Sequence, residues 1–544
     1  MKQLLLYTRK PIESAIYDPK LAYSMHIAVF DGGEFRALNH NSGVFFAKAE
    51  ENPDGSLTAK TLRCPRATLQ EDGSYLVSAV RAEADGSGND GMIFSKTNDF
   101  LWYEEIEGTS LPDSEDVKVD ESLCRNIEGC VPSYVIEVSD EICDRLVKTL
   151  TTPENVAIEF PEEVEVSSME ELDALRAKAV YSDGSTDMKR VDWDLADVDF
   201  SKKGEYEIEG KIHQDHFEFP IATNRADPCV NFWEGYYYYI ATNDADGNHT
   251  LYIRKAESIQ GLVTAEEVLL LDSVTYEGIG GLLWAPEFHE IKGRLYIFHA
   301  CTPGEFFREE SHVMELREGG DPMNRDDWSR PKRVTKADGS DLAEAGKTIT
   351  LDMTEFEWEG RYYVAWSQRE FVPKDLGAWL MFAELDPDCP TRLLTEPVVI
   401  SKPDYSWANN HTFVDEGPFA LNLGDRLWLT FSSAAVDSTY VVSALILEKG
   451  KDPLDPKSWR KMNYPLLTSR SVPGEFGTGH NAYVRDGDGH IFNTYHARPG
   501  VDAPRSSGIR RVHFNVYGEP VLDMTEEIDV KPDLMCIKTK LVIK

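Results

Sequence analysis

Five segments in the second half of the chain share one pattern: a Gly- or Asp-containing turn followed by a short strand rich in aromatic residues. Such apolar and aromatic runs favour β-strands. Similar units at intervals of roughly 60 residues indicate a repeat architecture, and a β-propeller with long blades fits. An unrelated sandwich with evenly spaced hairpins is the alternative. The turns at Gly235, Gly293, Gly360, Asp425 and Gly489 predict a five-bladed β-propeller over residues 213–544.

The first part of the chain shows shorter strands between turns. Residues 22–30 form a largely apolar run that ends at Asp31-Gly32-Gly33, and residues 74–80 alternate with period two. This pattern is typical of strands with one buried face. It predicts a small N-terminal β domain over residues 1–135.

A second group of strands, over residues 150–212, carries three short motifs in order. They read YSDGS at 181–185, VDW at 191–193 and GEYEIEG at 204–210. The order resembles that of bacterial immunoglobulin-like modules, which implies a small β-sandwich but no chemistry. We therefore expect an all-β chain in which the N-terminal β domain and an immunoglobulin-like sandwich precede the propeller.

The charge of the chain limits its classes of partner. The 544 residues carry 95 acidic and 56 basic side chains, a formal net charge of −39. This charge disfavours nucleic acid and anionic membrane surfaces as partners. It is compatible with a protein that acts on a neutral molecule, such as a small oligosaccharide. Nothing in the sequence indicates the oligomeric state.

The N-terminal segment bears on the cellular compartment. Its one apolar run, Leu4–Leu6, is too short for the core of a signal peptide. No later segment is apolar for long enough to span a bilayer. The eight cysteines are scattered, with no CxxC pair and no histidine pattern that completes a zinc site. These features predict a cytoplasmic protein with reduced thiols.

Three acidic residues occupy similar places relative to the aromatic strands. Asp227, Asp352 and Glu416 each lie a short, nearly constant distance before the turn that opens such a strand. Equivalent blade positions meet at one end of a propeller channel, so we expect three carboxyl groups in one pocket, where repulsion raises at least one pKa. Glycoside hydrolysis needs one protonated carboxyl for the leaving oxygen and one ionised carboxyl that activates water or attacks the sugar.

Motifs around these acids resemble those of glycoside hydrolase family 43, in the family's order. The resemblance spans about residues 220–525 and leaves out the first 210 residues. It departs from the family pattern at Tyr517, where an acidic residue is usual. The matching motifs are RADP at 225–228, LWAPEFH at 283–289, LDM at 351–353, EGP at 416–418, GTGHN at 477–481, YHAR at 495–498 and GEPV at 518–521.

The resemblance implies a role for each acid. Asp227 is the implied general base that activates water, Asp352 tunes the pKa and orients the proton donor, and Glu416 is the general acid. The family inverts the anomeric configuration, which requires carboxyl groups about 6.5–9.5 Å apart. The chain looks most like the arabinofuranosidase members, which implies release of L-arabinofuranose from arabino-oligosaccharides. The exo mode requires that N-terminal domains or loops close one end of the channel.

Further residues are candidates for binding the sugar. Trp284 and Trp407 are candidate platforms, since sugar C–H faces stack on aromatic rings; core packing is the alternative for Trp284. Arg505 resembles an arginine that faces the sugar in arabinose-releasing members of the family. Arg510 and Arg511 are its rivals.

His480 resembles the family's channel histidine, which implies one bound calcium or sodium ion and no organic cofactor. Because calcium prefers oxygen ligands, such a site is mainly hydrated. A hydrogen-bonded histidine without a metal is the alternative. Glu287 and His289 are expected to surround the residues that act on the sugar without contacting the sugar themselves.

Three other functions remain open at this point. A β-D-xylosidase of the same family shares the catalytic trio. A glycan-binding propeller without activity would lack one of the acids, and none is missing. A retaining β-fructosidase on the same fold would carry Arg before the middle Asp and Cys after the Glu, where this chain has Leu351 and Gly417.

Overall fold

The computed structural model describes residues 2–12, 14–107, 119–275 and 278–544. Within these residues the chain is an all-β protein, as predicted, with few helices. No described helix is both long and apolar enough to cross a membrane. The described α-helices are Asp140–Leu150, Met169–Asp173 and Glu526–Asp529, and the 3-10 helices are Pro19–Ala22, Asn39–Asn41, Glu121–Cys124, Asp244–Asp246, Gln260–Val263, Phe306–Arg308, Arg325–Asp327, Ser406–Ala408 and Pro456–Ser458.

The N-terminal region forms two four-stranded antiparallel sheets and a small hairpin. The sheet orders are β10-β1-β2-β3 and β6-β7-β8-β9, and β4 pairs with β5. The leucine run Leu4–Leu6 is fully buried in the first sheet. The strands are β1 Lys2–Arg9, β2 His26–Asp31, β3 Glu34–Ala37, β4 Glu50–Glu51, β5 Leu57–Thr58, β6 Lys60–Leu69, β7 Tyr75–Glu83, β8 Met92–Thr97, β9 Glu104–Glu105 and β10 Cys130–Val138.

The predicted sandwich region contains six strands. The YSDGS motif lies at the turn between the third and fourth of them, and the other two motifs lie in the fifth and sixth. These strands are β11 Asn155–Glu159, β12 Glu163–Val166, β13 Ala177–Tyr181, β14 Thr186–Lys189, β15 Val191–Trp193 and β16 Gly204–Ile212.

Five four-stranded sheets follow one another along the rest of the chain. Four of them are built from consecutive strands, β18–β21, β22–β25, β26–β29 and β30–β33. The fifth has the order β17-β36-β35-β34, so a strand from the start of this region completes it. The strands are β17 Ala222–Thr223, β18 Arg225–Trp233, β19 Tyr236–Asn243, β20 Thr250–Ala256, β21 Val268–Asp272, β22 Gly281–Ile291, β23 Arg294–Thr302, β24 Glu310–Glu315, β25 Lys332–Arg333, β26 Thr348–Trp358, β27 Arg361–Glu370, β28 Gly377–Glu384, β29 Val398–Ser401, β30 Asp415–Asn422, β31 Arg426–Ser433, β32 Val441–Glu448, β33 Trp459–Lys461, β34 Phe476–Arg485, β35 Ile491–Arg498 and β36 Ser506–Arg511. A separate two-stranded sheet pairs β37 His513–Phe514 with β38 Pro520–Val521.

The five aromatic segments are the second strands of these sheets, β19, β23, β27, β31 and β35, so the sequence placed them correctly. Tight turns connect several of them to the strand before. At Lys292-Gly293 both residues have positive φ, 49° and 74°, as a type I′ hairpin turn requires. The turn residues thereby set the pairing of β22 with β23.

The first strand of each of these five sheets has a residue in the left-handed region. Five such residues, with φ between 44° and 56°, are Asp227, Ala285, Asp352, Gly417 and His480. In the first four sheets the register to the second strand also shifts at this point, which marks a β-bulge. A bulge bends a strand and redirects a side chain. Asp and His tolerate the left-handed region better than most residues, which favours polar side chains at these positions.

Two compact units divide the chain. The first comprises Met1–Val147, Glu218–Val484 and Asn493–Ile509, and the second comprises Lys148–Phe217, Arg485–Phe492 and Arg510–Lys544. In the second unit, sheets β11-β13-β14 and β12-β39-β16-β15 form, where β39 is Cys536–Ile543.

The C-terminal boundary therefore differs from the predicted one, which extended the propeller to residue 544. Strand β39 pairs in parallel with β12 and antiparallel with β16. Leu541 and Ile543 are buried against the apolar side chains of that unit. A single strand with a distant partner leaves no local sequence signal, so the pattern at 536–543 did not reveal its sheet.

Candidate active site

The three predicted acids lie on the first strands of three sheets. Asp227 is on β18, Asp352 on β26 and Glu416 on β30. Asp227 and Asp352 are almost fully buried, and Glu416 is half-buried. The backbone N–H of Gly417 donates to Oδ2 of Asp352 at 3.1 Å, which joins two of the acid-bearing strands. The structure thus brings these acids into one site.

Asp227 lies among groups that stabilise its ionised form. Its Oδ1 accepts from Arg505 Nη1 at 3.2 Å and lies 2.9 Å from His496 Nδ1 and 3.3 Å from His480 Nδ1. Thr242 donates its hydroxyl to Oδ2 at 2.7 Å. Burial alone would raise the pKa of Asp227, but Arg505 and His480 hold it well below its usual range. Asp227 is therefore an ionised carboxylate.

Asp352 and Glu416 experience the opposite effect. Burial, together with the negative charge of Asp227, raises the pKa of Asp352 to about 6. Burial and the charge of Asp352 raise the pKa of Glu416 to about 7. Two neighbouring carboxyl groups cannot both ionise without mutual repulsion. The site thus combines a carboxylate that is ionised at neutral pH with a carboxyl that holds its proton up to that range.

Tyr440 connects the two sides of this arrangement. Its hydroxyl donates to Oε1 of Glu416 at 2.7 Å. Its ring stacks on His496, with centroids 5.5 Å apart and an angle of 7° between the planes. Burial lowers the pKa of His496 to about 4, so the ring is neutral, and its Nδ1 lies 2.9 Å from Oδ1 of Asp227. Tyr440 therefore holds Glu416 and packs against the residue that orients Asp227.

Replacing Tyr440 with phenylalanine should shift the pH dependence of the enzyme. The tyrosine hydroxyl stabilises the ionised form of Glu416, so its loss should raise the pKa of that carboxyl. The alkaline limb of kcat against pH should move upward by about one pH unit. Tyr405→Phe is a matched control, because Tyr405 is also buried and donates to Asn463 instead, at 3.0 Å. An unchanged alkaline limb in Tyr440→Phe would contradict this assignment.

Two of the predicted sugar-binding residues adjoin the acids. Arg505 contacts Asp227 and makes a two-pronged ion pair with Asp244, at 2.9 Å for both contacts. Trp284 is half-buried, and its indole N–H donates to Asn248 at 3.0 Å. The next residue, Ala285, donates its N–H to the Thr242 hydroxyl that also bonds Asp227. Trp284 therefore lies within two hydrogen bonds of the ionised carboxylate.

The rivals of Arg505 are engaged elsewhere. Arg511 pairs with Asp187 and Asp529 in the second unit. Arg510 is buried, and its Nη1 approaches the carbonyl of Leu522 at 3.4 Å. Of the three arginines, Arg505 is the one that contacts Asp227.

Trp407 is not a sugar platform, contrary to the prediction. Its side chain is fully buried, and its indole N–H donates to the carbonyl of Asn463 at 2.9 Å. Its ring packs against Tyr405 and Phe431, and the Lys461 ammonium lies 5.3 Å from its centroid. Both faces serve internal packing, because the short 3-10 helix at Ser406–Ala408 points it inward.

His480 carries a nitrogen without a hydrogen-bond partner. Its Nε2 is buried and unpaired among the described residues, whereas Nδ1 faces Asp227. No group of three or more His, Cys, Asp or Glu side chains in the described part of the chain is arranged to hold a metal ion. The protein thus offers a cation one imidazole nitrogen, and a hard cation there would take most of its ligands from water.

Glu287 and His289 form a buried pair close to this histidine. Oε2 of Glu287 lies 2.8 Å from Nε2 of His289. The negative charge of Glu287 contributes, after Asp227 and Asp352, to the raised pKa of His480, which burial alone would lower. The expected supporting role of Glu287 agrees with this position.

Sequence reasoning missed Thr242, Asp244, Tyr440 and the role of His496. His496 belongs to the YHAR motif at 495–498, which resembles the family's motif but does not indicate which side chain touches Asp227. Tyr440 lies near the start of an ordinary apolar strand, and nothing in its neighbours distinguishes it from a core tyrosine. Only the pairing of β31 with β32 and the bulge in β30 bring its hydroxyl to Glu416.

Comparison with known proteins assigns the family. The sequence profile of glycosyl hydrolases family 43 matches residues 217–520. The chain belongs to glycosyl hydrolase family 43. This family 43 chain also matches the profile of a bacterial Ig-like domain (group 4) over residues 176–215, which agrees with the predicted sandwich.

Several arabinofuranosidases are similar to this family 43 protein. It is 30% identical over 286 residues to an extracellular exo-α-(1→5)-L-arabinofuranosidase of Streptomyces chartreusis, covering 52% of this chain and 82% of that one. It is 29% identical to the enzyme of the same name from Streptomyces avermitilis, over 56% of this chain but only 62% of that protein. The crystal structure of an α-L-arabinofuranosidase from Lactobacillus brevis matches with a TM-score of 0.50 and 28% identity, covering 56% and 95% of the two chains.

The prediction of a cytoplasmic protein is wrong. Two of these similar family 43 proteins are named extracellular. The prediction relied on the short apolar run Leu4–Leu6, but this run is part of the buried strand β1. It reports on the fold of the N-terminal region and carries no information about export.

Proposed function

We propose that this family 43 protein is an inverting, exo-acting α-L-arabinofuranosidase that releases L-arabinofuranose from arabino-oligosaccharides. The observation that carries the proposal is the opposite tuning of two carboxyls in one site: Asp227 is ionised, and Glu416 has a pKa of about 7. A base and an acid with separated pKa values are what glycoside hydrolysis by inversion uses. The names of the similar proteins support the choice of sugar.

The catalytic fold in this proposal is a closed five-bladed β-propeller. Five consecutive four-stranded sheets support it, and so does the pairing of β17 with β36 across nearly the whole region. Ala222 pairs with Ser507, so a strand from the beginning closes a sheet made at the end. A β-propeller closed in this way leaves only short, protected sheet edges.

In the proposed reaction each acid has one task. Asp227 takes a proton from a water molecule as that water attacks the anomeric carbon from the face opposite the leaving group. The bond between the anomeric carbon and the bridging oxygen breaks, and Glu416 gives its proton to that oxygen. Asp352 raises the pKa of Glu416 by its charge and accepts the N–H of Gly417, which fixes the strand beside the acid. One water is consumed and the anomeric configuration inverts.

The N-terminal region supports the exo mode in this proposal. Within the first unit, Ser438 lies two residues before Tyr440 and donates its hydroxyl to the carbonyl of Ala15. Lys20 donates to both the carbonyl and the side chain of Asn409, at 2.7 Å each. The segment 14–20 thus bonds to two loops, one at Asn409 and one at Ser438, on either side of Glu416 in the sequence. In this proposal the segment closes that side of the site, which favours a pocket for one terminal sugar over an open cleft.

The test of this function is a side-by-side assay of purified protein on 4-nitrophenyl α-L-arabinofuranoside and β-D-xyloside. We expect kcat/KM to favour the arabinofuranoside strongly, and NMR of the first product to show an inverted anomer. A preference for the xyloside would indicate a β-D-xylosidase. Retention of configuration, or long products from intact arabinan, would contradict the inverting or exo assignment.

A hydrated calcium or sodium ion at His480 is part of the proposal. The unpaired, buried Nε2 supports a ligand there. When bound, such a cation would supply positive charge near the carboxyls. Metal analysis before and after dialysis against a chelator, with the melting temperature recorded in both states, tests it. Absence of stoichiometric metal and an unchanged melting temperature would remove the ion from the proposal.

A further inference from the structure

Four aromatic rings form a continuous cluster that begins beside the catalytic acids. Trp284 contacts Phe306 edge to face, with centroids 6.1 Å apart. Phe306 in turn contacts Phe307 at 5.3 Å and Phe371 at 5.7 Å, and the last two rings are 5.1 Å apart. We call these four residues the aromatic ridge.

The outer part of the aromatic ridge is unusually exposed. Phe306 and Phe307 expose 41% and 48% of their surface, and Phe371 is half-buried. The neighbouring Val372 is exposed as well, at 44%. Isolated exposed apolar residues are ordinary, but a contiguous group marks a site of interaction. The proposed catalytic reaction does not use these residues.

Backbone hydrogen bonds fix the segments that carry Phe307 and Phe371. Gly346 donates its N–H to the carbonyl of Phe307 at 2.8 Å, and Phe371 donates its N–H to the carbonyl of Lys347 at 2.8 Å. The guanidinium of Arg369 lies 5.0 Å from the ring centre of Phe371 and is itself paired with Asp375 at 2.6 Å. Rings fixed before binding lose little conformational freedom on contact with a ligand.

The aromatic ridge leads outward from the acids. At its inner end, Trp284 precedes Ala285, which shares the Thr242 hydroxyl with Asp227. At its outer end, Phe371 follows β27, four residues beyond Ser367, whose hydroxyl bonds Asp352 at 3.3 Å. Four strand residues span roughly 13 Å. The outer rings therefore lie beyond the space that a single sugar bound at the acids would fill.

We propose that the aromatic ridge binds the sugar residues on the leaving-group side of the cleaved bond in an arabino-oligosaccharide. This inference rests on the proposed function. An exo-acting enzyme holds one terminal sugar at the acids, so the remainder of the chain must leave along a surface that starts there. The ridge starts there, and aromatic rings stack on the apolar C–H faces of sugars. The ridge carries no charge, which matches a neutral oligosaccharide.

The test compares two substrates in one variant. In Phe306→Ala/Phe307→Ala, kcat/KM for a linear α-1,5-linked arabinotriose should fall roughly tenfold further than kcat/KM for 4-nitrophenyl α-L-arabinofuranoside. Phe306→Tyr/Phe307→Tyr should restore most of the difference, because the rings remain. Phe232→Ala is the matched control: Phe232 is also 48% exposed but lies at the opposite end of its strand from Asp227. Equal losses on both substrates, or none, would overturn the proposal.

A binding measurement separates this inference from the proposed function. Calorimetric titration of arabinotriose into Asp227→Asn, with and without the two phenylalanine changes, reads the ridge without catalysis. Weaker binding in the triple variant supports the ridge even where the activity assignment fails. Equal binding overturns it. The two phenylalanine changes could instead convert an oligomer into a monomer and leave arabinotriose binding unchanged. That result would also overturn the proposal, because the aromatic ridge would then be a contact between copies of the chain.

Discussion

Asp227→Asn should reduce kcat/KM by about 10³-fold or more on every substrate, activated or not. The single amide oxygen of asparagine can accept from Arg505 or from Thr242, which bond different oxygens of Asp227, and the amide cannot take a proton from water. Neither of the other two acids in the site can replace it, because burial and repulsion raise the pKa of both Asp352 and Glu416. Initial rates on 4-nitrophenyl α-L-arabinofuranoside and on arabinotriose provide the measurement.

Asp327→Asn is the matched control for this substitution. Asp327 is also a buried aspartate with an arginine partner, Arg317, at 2.7 Å, but it lies in a 3-10 turn between β24 and β25, away from the bulged first strands. We expect the activity of Asp327→Asn to stay within a factor of two of wild type, which corresponds to a change of about 0.4 kcal/mol in activation free energy. If Asp227→Asn kept more than a tenth of the activity, Asp227 would not be the base.

Glu416→Ala should distinguish substrates by their leaving groups. An alkoxide leaving group needs the proton of Glu416, so kcat/KM for arabinotriose should fall by about 10²- to 10⁴-fold. A 4-nitrophenolate leaves without protonation, so the aryl glycoside should lose much less. The measurement is the ratio of the two values in the variant and in wild type. A uniform loss on both substrates would assign Glu416 a task other than proton donation.

The pH profile of the same variant gives a second readout. In wild type the acid form of Glu416 is present below its pKa of about 7 and disappears above it, so activity should decline on the alkaline side near that pH. On the aryl substrate Glu416→Ala should lose this alkaline limb and keep the acid limb, which reports the protonation of Asp227. An alkaline limb that persists at the same pH would belong to another group.

The repeated units and the acids were predictable because both leave short-range signals. An aromatic strand after a Gly or Asp turn is legible within a dozen residues, and the three acids precede such turns. The bulges were not predicted, although three of them carry proline directly after the left-handed residue, at Pro228, Pro286 and Pro418. Proline donates no N–H and is tolerated in a strand where the ladder is broken, so this signal was present and unread.

Other features depend on partners far away in the sequence. The local sequence does not distinguish Trp407 from Trp284. Only tertiary packing determines that Trp407 is fully buried, whereas Trp284 is half-buried near the acids. Strand β39 finds its sheet through Leu541 and Ile543, hundreds of positions after β12. Tyr440, which directly precedes β32, gains its role from a hydrogen bond to Glu416 on β30, two strands away in the sheet. Each outcome depends on long-range pairing, which local periodicity does not encode.

A left-handed residue recurs in the first strand of all five sheets, and this repetition makes the site adaptable. The backbone has a similar left-handed conformation at Asp227, Ala285, Asp352, Gly417 and His480. The fold therefore offers five similar positions, and the reaction depends on which side chains occupy them. A change of chemistry then requires new side chains but no new backbone. Position 285 is the natural place for protein engineers to add a further polar group, because asparagine and aspartate adopt its left-handed backbone conformation more readily than alanine does.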